Sequence, residues 1–219
     1  VRRELEDLES NSMHTRVHGG AGTVKKRYRF EDMDVRGTSN MELKEQIARK
    51  ALEYVRDGDT IAIDSGSTAS LFAMALKTRN FDSLSVITYS SEVFSILSEC
   101  GNYRITLLGG EYLPKEKLFY GFLTHEAMQK LYFSKAFVVP SALSVEDGAH
   151  DFIRETYENQ CMLIGHASEV FLLADSTKFE TKGDFKLSDL QPEFTIITDD
   201  KLPESVYNMY RDHKLNVVS

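Results

Sequence analysis

The chain has 219 residues, a composition that is 42% hydrophobic and 27% charged, and a formal net charge of −8. This composition predicts a globular protein with one large domain and excludes an intrinsically disordered chain. Two cysteines exclude a disulfide framework and a zinc site built from cysteines alone, and they fit a reducing compartment. No apolar run approaches the ~18 residues of a membrane span, and no signal peptide opens the sequence.

The charge is unevenly distributed along the chain. Residues 1–29 contain seven basic and four acidic residues, a net charge of +3, so residues 30–219 carry −11. An acidic total argues against nucleic acid as a partner, but such asymmetry indicates that the two parts have separate roles.

The first 40 residues predict a short helix, a hairpin and a linker, in that order. Residues 1–10 predict a helix, with Val1, Leu5 and Leu8 on one face. Two extended runs around Gly19 and Gly20 predict a hairpin. A lone helix and hairpin bury too little surface to be stable, so residues 1–24 are expected to be the last part of a truncated small domain. Residues 28–40 show no period and predict a linker.

From residue 41 onward, short apolar strands alternate with helices. Helices are predicted near 41–56, 68–77, 91–99, 121–132, 153–165 and 204–212. Strands are predicted at 60–63, 85–88, 103–108, 135–139, 170–174, 194–198 and 215–218. This alternation predicts an α/β domain over 41–219, with a mainly parallel sheet and helices on both of its faces.

In such a sheet, ligands bind beyond the carboxyl ends of the strands. The first predicted strand is followed by Asp64, Ser65, Gly66, Ser67 and Thr68, and then by a helix. Gly66 permits close backbone approach, and the free N–H groups at the helix start favour an anion. The loop therefore predicts a phosphate cradle, with simple helix capping by Ser and Thr as the alternative. It is neither a Walker A loop nor a G-x-G-x-x-G loop.

Other strand ends add candidates to the same site. The second strand ends in Thr88, Tyr89 and Ser90, and the third is followed by Gly109 and Gly110, which are expected to shape the floor. Lys135 and Lys178 are candidate positive charges, with exposed surface lysines as the alternative. His14 and His18 lie four residues apart, but the histidines are otherwise scattered and no carboxylate spacing typical of zinc enzymes accompanies them. No G-x-S-x-G elbow occurs, so neither a metal, a cofactor nor a serine hydrolase is expected.

The N-terminal residues resemble part of a known family. The run Arg2-Arg3-Glu4-Leu5 and the later Arg16-Val17-His18-Gly19-Gly20-Ala21 are similar to the recognition helix and wing of the winged helix-turn-helix of DeoR-family sugar-metabolism repressors. This resemblance implies that residues 1–27 are the C-terminal part of a DNA-binding domain. It also implies that Arg2, Arg3, Arg16 and His18 contact operator DNA.

The remainder resembles the effector domain of the same family, which has a fold similar to ribose-5-phosphate isomerase. The matching motifs, in order, are DGDTIAIDSGST, VITYSS, LLGGE, Tyr120-Gly121, FSKAF, Glu155 with Met162, LLADSTKF and TIITD. The resemblance implies a cytoplasmic transcription regulator, usually an oligomer, that senses a phosphorylated sugar or related metabolite. Glu155 would then accept hydrogen bonds from sugar hydroxyls.

Two positions depart from the family pattern. Ser141 stands where family members often have an aspartate, and Asn159 stands where many have a lysine. Since isomerase chemistry needs carboxylates that move protons, Ser141 argues against an isomerase. Both are predicted site positions, Ser141 among the effector-binding residues, and the two changes together predict either an altered effector or reduced sensing. The leading hypothesis is an effector-binding repressor. The alternatives are a sugar-phosphate isomerase-like enzyme and a ligand-free oligomerisation module.

Overall fold

The computed structural model describes residues 14–17, 20–23 and 33–219. The described strands are β1 (His14–Val17), β2 (Gly20–Thr23), β3 (Thr60–Ile63), β4 (Leu84–Thr88), β5 (Tyr103–Leu107), β6 (Glu111–Leu113), β7 (Leu118–Tyr120), β8 (Phe133–Val138), β9 (Ala142–Ser144), β10 (Gly148–Asp151), β11 (Ala167–Leu173), β12 (Phe185–Ser188), β13 (Thr195–Ile197) and β14 (Asn216–Val218). The described helices are α1 (Met33–Thr38), α2 (Met41–Leu52), α3 (Ser67–Lys77), α4 (Ser91–Leu97), α5 (Phe122–Met128), α6 (Arg154–His166) and α7 (Glu204–Asp212). Among these described helices, none has the length and apolar character needed to cross a bilayer.

Seven strands form one parallel sheet in the order β14-β13-β11-β8-β3-β4-β5. From β3 the chain adds strands outward on one side, and from β8 it adds them outward on the other side. The direction of winding therefore reverses between β3 and β8. Ligand crevices in open α/β sheets lie beyond the carboxyl ends of the strands at such a reversal.

Helices cover both faces of this sheet because the inner strands are apolar at consecutive positions. Ile61 and Ile63 of β3 point to one face, where they pack with α2, α3 and α4. Ala62 points to the other face, where it packs with α5, α6 and α7. Side chains alternate between faces along a strand, so a strand buried on both sides is a continuous apolar run. The predicted α/β fold is confirmed.

Several short elements were not predicted. Strands β9, β10 and β12 form a three-stranded antiparallel sheet, and β6 pairs with β7 in a hairpin. Each of these strands has three or four residues, too few for a period to be visible in the sequence. Gly148 begins β10 with a φ of +95°, and a Cβ there would lie 2.1 Å from the carbonyl oxygen of Ser188.

The N-terminal predictions have mixed outcomes. The hairpin around Gly19 and Gly20 is confirmed, because β1 and β2 pair antiparallel with Val17 opposite Gly20. The helix predicted over residues 1–10 lies outside the described residues. Within the predicted linker 28–40, residues 33–38 form α1, a helix that the sequence does not predict. A six-residue helix is marginal alone, and tertiary contacts stabilise it here, since Met33 is buried.

Candidate functional site

Asp64, directly after β3, is the centre of a buried hydrogen-bond network at the winding reversal. Its carboxylate accepts from the N–H of Ser65 at 2.6 Å, the N–H of Val139 at 2.8 Å and Nε2 of Gln160 at 2.7 Å. The hydroxyl of Tyr89 is a fourth donor. Burial raises the pKa of Asp64 to about 6, because desolvation outweighs these four uncharged donors. Asp64 thereby ties the ends of β3, β4 and β8 to α6.

A small cavity lies beside this network, at the carboxyl end of the sheet. Its volume is about 30 Å³, and it is partly open to solvent. The lining residues come from α1, the α1–α2 turn, α2, α3 and the segments after β8 and β11. They are Arg36, Ser39, Asn40, Lys44, Ser67, Thr68, Val139, Pro140, Ser141, Leu173, Ala174, Asp175 and Lys178.

Three cationic side chains line this cavity. Arg36 places Nη1 3.8 Å from the position that a Cβ on Gly66 would occupy, so its guanidinium lies over the β3–α3 loop. The ammonium of Lys44 is buried and donates to the carbonyl oxygens of Arg36 and Ser39, at 2.8 Å for the latter. Lys178 follows β11 in a short 3₁₀ turn. These cations and the N-terminus of α3 are groups that can bind an anion, and the Asp175 carboxylate belongs to the same lining.

Arg36 also connects two segments that are distant in sequence. Its guanidinium forms an ion pair with Glu116, which lies in the turn between β6 and β7. The two side chains are only 14% and 5% exposed, so this pair is largely removed from water. Lys44 holds the C-terminal carbonyls of α1, and thereby fixes the segment that carries Arg36.

The structure brings four of the predicted effector residues into the cavity lining: Ser67, Thr68, Ser141 and Lys178. Asp64 and Tyr89 lie behind it in the buried network. Thr88 donates to the carbonyl oxygen of Ile63 at 2.8 Å, and Ser90 accepts from the N–H of Val93 as the cap of α4. Among the predicted residues of these loops, those outside the lining therefore hold the carboxyl ends of the strands together.

The predicted floor residues and Glu155 are not in the cavity lining. The carbonyl oxygen of Gly109 accepts from Thr124 Oγ1 at 2.9 Å, and a Cβ on Gly110 would lie 2.4 Å from the carbonyl oxygen of Tyr120. Gly110 therefore permits a close approach to the end of β7 and to α5, whereas a Cβ on Gly109 would meet no atom within 4 Å. Glu155 is half-buried in the first turn of α6; burial, together with the nearby carboxylates of Glu111 and Glu155, raises the pKa of Tyr120.

The prediction that Lys135 supplies positive charge to the site is corrected by the structure. Lys135 pairs with Ile61 near the start of β8, at the amino end of the sheet. Its ammonium lies 2.6 Å from Asp59 Oδ2, and the two side chains are 7% and 12% exposed. A residue that opens a parallel strand lies at the opposite end from the ligand crevice, which is why Lys135 cannot reach it.

Sequence reasoning missed two of the three cations. Arg36 was assigned to the linker, and nothing local distinguishes it from other surface arginines. Lys44 does carry a signal, because it lies three and four residues before the buried Ile47 and Ala48 of α2. A lysine on the apolar face of a helix is a candidate for a buried charge. Asp175 also lines the cavity, and its carboxylate accepts from the N–H of Thr177 at 3.0 Å.

The DNA-contact predictions fall mostly on residues that are not described. Arg2, Arg3 and His18 lie outside the described residues. Arg16 lies in β1, where its backbone pairs with Ala21 of β2. Within the described ranges, no group of three or more His, Cys, Asp or Glu side chains is arranged to hold a metal ion.

Comparisons with known proteins agree with the sequence resemblance. The profile of the family described as DeoR C terminal sensor domain matches residues 39–200. Lactose phosphotransferase system repressors of Lactococcus lactis subsp. lactis and Streptococcus mutans are each 36% identical over 203 residues, covering 92% and 91% of this chain and 79% of each relative. Ribose 5-phosphate isomerase A of Methanocaldococcus jannaschii superposes with a TM-score of 0.50 at 20% identity, over 66% of this chain and 56% of that one, which supports a shared fold alone. The chain belongs to the DeoR C-terminal sensor domain family.

Proposed function

We propose that the chain is the sensor part of a transcriptional repressor of carbohydrate metabolism, and that a phosphorylated sugar binds in the cavity at the carboxyl end of β3 and β8. The observation that carries the proposal is the convergence of Arg36, Lys44 and Lys178 with the N-terminus of α3 on this one cavity. The names of the relatives, repressors of a lactose phosphotransferase system, support a phosphorylated sugar as the class of effector.

The small volume of the cavity indicates how binding would be transmitted. Small-molecule sites occupy about 300–1,000 Å³, whereas the volume of this partly open cavity is about 30 Å³. Entry of a sugar phosphate therefore requires a lining group to move. Arg36 is the lining cation carried by α1, and a phosphate would compete with Glu116 for its guanidinium.

Movement of Arg36 would displace α1, the segment that leads back to the N-terminal residues. A ligand can change DNA binding only through its different affinities for two states of the protein. In this proposal, one state keeps the Arg36–Glu116 ion pair and the other has phosphate in place of Glu116. Residues 1–27 would contact operator DNA, and the protein would act in the cytoplasm as a dimer or tetramer, since palindromic operators require at least two copies.

We infer that the domain senses its ligand without converting it. Among the described lining residues, Asp175 is the one carboxylate, and its Oδ1 already accepts from the N–H of Thr177. Aldose–ketose isomerisation needs a base that removes and returns a proton. Asp64 is fully buried and is not a lining residue.

The proposal is tested by measuring thermal stability with D-glucose, D-galactose and D-fructose 6-phosphates and with the unphosphorylated sugars. At least one hexose phosphate is expected to raise the midpoint of unfolding, and its parent sugar is not. Lys178→Ala is expected to remove most of that shift. The matched control is Lys186→Ala, whose side chain is 48% exposed and pairs with Asp189 outside the cavity.

Two results would contradict the proposal. Equal shifts from a phosphorylated sugar in Lys178→Ala and Lys186→Ala would mean that the ligand binds elsewhere. Turnover of any of these hexose phosphates by the purified chain would favour the enzymatic alternative over the sensor.

A further inference from the structure

Ser141 contributes a hydroxyl to the cavity lining, and the hydrogen of that hydroxyl is already used. Ser141 Oγ donates to Asp151 Oδ2 at 3.0 Å, and a serine hydroxyl has a single hydrogen to donate. The backbone N–H of Ser141 donates to the carbonyl oxygen of His150 at 2.9 Å. The remaining hydrogen-bonding capacity of the Ser141 side chain is therefore that of an acceptor, through its oxygen lone pairs.

Asp151 is held in a position in which its carboxylate accepts the hydrogen of the Ser141 hydroxyl. The residue is 1% exposed, and its Oδ1 accepts from the N–H groups of Phe152 at 2.7 Å and Ile153 at 2.9 Å. These two bonds fix the carboxylate at the start of α6 and direct Oδ2 to Ser141. Burial raises the pKa of Asp151, while these bonds, the Ser141 hydroxyl and the charge of Arg36 lower it.

The side-chain bond between Ser141 and Asp151 is not needed to pair the surrounding strands. Strands β9 and β10 pair through their backbones from Gly148 opposite Ser144 to His150 opposite Ala142, and the Ser141 N–H extends this pairing. Burying a carboxylate is unfavourable unless it is fully bonded. The Ser141 bond of Asp151 is therefore additional both to strand pairing and to the two N–H bonds at the start of α6.

We propose that Asp151 is a positioning residue that makes Ser141 an acceptor for a hydroxyl group of the bound sugar. The proposal rests on the proposed function and adds the orientation in which the ligand would bind in the same cavity. Phosphate would lie against Arg36, Lys44 and Lys178, the cations of the lining, with Arg36 released from Glu116 as proposed above. It would be repelled from the Ser141 side by the carboxylate behind it. The ligand would then bind in one orientation, with a hydroxyl donor directed at Ser141.

The test is titration calorimetry with the purified chain, using inorganic phosphate and the three hexose 6-phosphates named above. Ser141→Ala and Asp151→Asn are each expected to weaken the tightest hexose phosphate about three- to tenfold, the loss of one hydrogen bond. Affinity for inorganic phosphate should stay within about twofold, since phosphate alone does not reach Ser141. The double variant should bind no more weakly than the weaker single variant, because the two residues act as one unit.

A measurement on the unsubstituted chain covers the case in which Asp151→Asn does not fold. Monodeoxy and monofluoro analogues of the tightest hexose phosphate are compared, position by position. At one position both analogues should lose the same three- to tenfold, because fluorine cannot donate a hydrogen bond. The proposal is overturned if the fluoro analogue keeps full affinity at every position, or if Asp151→Asn leaves the ratio of hexose phosphate to phosphate affinity unchanged. If Asp151 had only a general structural role, Asp151→Asn would weaken the binding of inorganic phosphate and of hexose phosphate equally. If no phosphate probe bound, the proposed function would be refuted, and this inference with it.

Discussion

Each end of β3 carries an aspartate, the largely buried Asp59 and the fully buried Asp64, and the two carboxylates are stabilised in different ways. At the amino end, Asp59 accepts from the Lys135 ammonium at 2.6 Å and from Ser134 Oγ at 3.2 Å. At the carboxyl end, Asp64 accepts hydrogen bonds from uncharged donors such as Tyr89 and Gln160. One strand of four residues therefore separates a carboxylate with an ionic partner from one bonded by neutral groups.

This difference separates the structural end of the sheet from the ligand end. At the amino end, the ammonium of Lys135 pairs with Asp59, the residue before β3, so its charge stabilises the fold. At the carboxyl end, the Asp64 carboxylate is bonded by neutral donors while Lys44 and Lys178 line the cavity. A cation in a largely buried ion pair can bind a ligand anion only by leaving its partner unpaired, which applies to Lys135 with Asp59 and to Arg36 with Glu116. Lys135 differs from the lining cations because it lies at the end of the sheet away from the cavity.

The largest expected effect is at the amino end. Lys135→Met keeps the aliphatic volume and leaves Asp59 buried without its cation. We expect a loss of about 3–5 kcal/mol in the free energy of unfolding, the typical cost of removing one member of a buried pair. Urea unfolding measures this loss. Where the variant is folded, its affinity for hexose phosphates should be unchanged, because Lys135 is far from the cavity.

Two companion variants make the result interpretable. Lys186→Met removes an exposed pair with Asp189 and should change stability by less than about 0.5 kcal/mol. Adding Asp59→Asn to Lys135→Met should recover most of the loss, since an amide needs no counter-charge. A Lys135→Met variant as stable as the Lys186→Met control would show that the ion pair contributes nothing.

How far the sequence predicts this arrangement depends on the type of signal. Strand β3 and the loop after it could be placed because an apolar run followed by Asp-Ser-Gly-Ser-Thr is a local pattern. Lys135 and Lys178 look alike in sequence, yet one lies at each end of the sheet. Their roles depend on which end of a strand each residue occupies, and Lys135 is at a strand start.

Arg36 could not have been found from local sequence. It acts through contacts with Gly66 and Glu116, which are 30 and 80 residues further along the chain. Short strands such as β9 and β10 were missed for the same reason, because their pairing partners define them more than their own residues do. Tertiary contacts decide both cases, and a single sequence does not display them.

An intermediate effect is expected at the carboxyl end when one donor to Asp64 is removed. Tyr89→Phe keeps the buried ring and deletes the hydroxyl that donates to the Asp64 carboxylate. We expect a loss of about 2 kcal/mol at pH 7, the usual cost of a hydrogen bond to a charged group. Urea unfolding again gives the value. Tyr112→Phe, at a 46% exposed tyrosine, is the matched control and should lie within about 0.5 kcal/mol of the unsubstituted chain. Equal stability of the two variants would remove Tyr89 from the network.

The smallest effect is the pH dependence that the unsubstituted chain owes to Asp64. Burial raises the pKa of this group from 3.8 to about 6, so between these values the folded state binds a proton that the unfolded state does not. Stability from this group therefore falls as pH rises through 6 and is recovered on acidification. From pH 7 to pH 5 the gain in unfolding free energy should be about 1 kcal/mol.

Other groups titrate in the same range, so the quantity to measure is the difference in unfolding free energy between the chain and its Asp64→Asn variant at each pH. That difference should shift by about 1 kcal/mol in favour of the unsubstituted chain at pH 5. A shift of opposite sign would mean that Asp64 is stabilised as a carboxylate, as it would be beside a cation, and the contrast between the two ends of β3 would be lost.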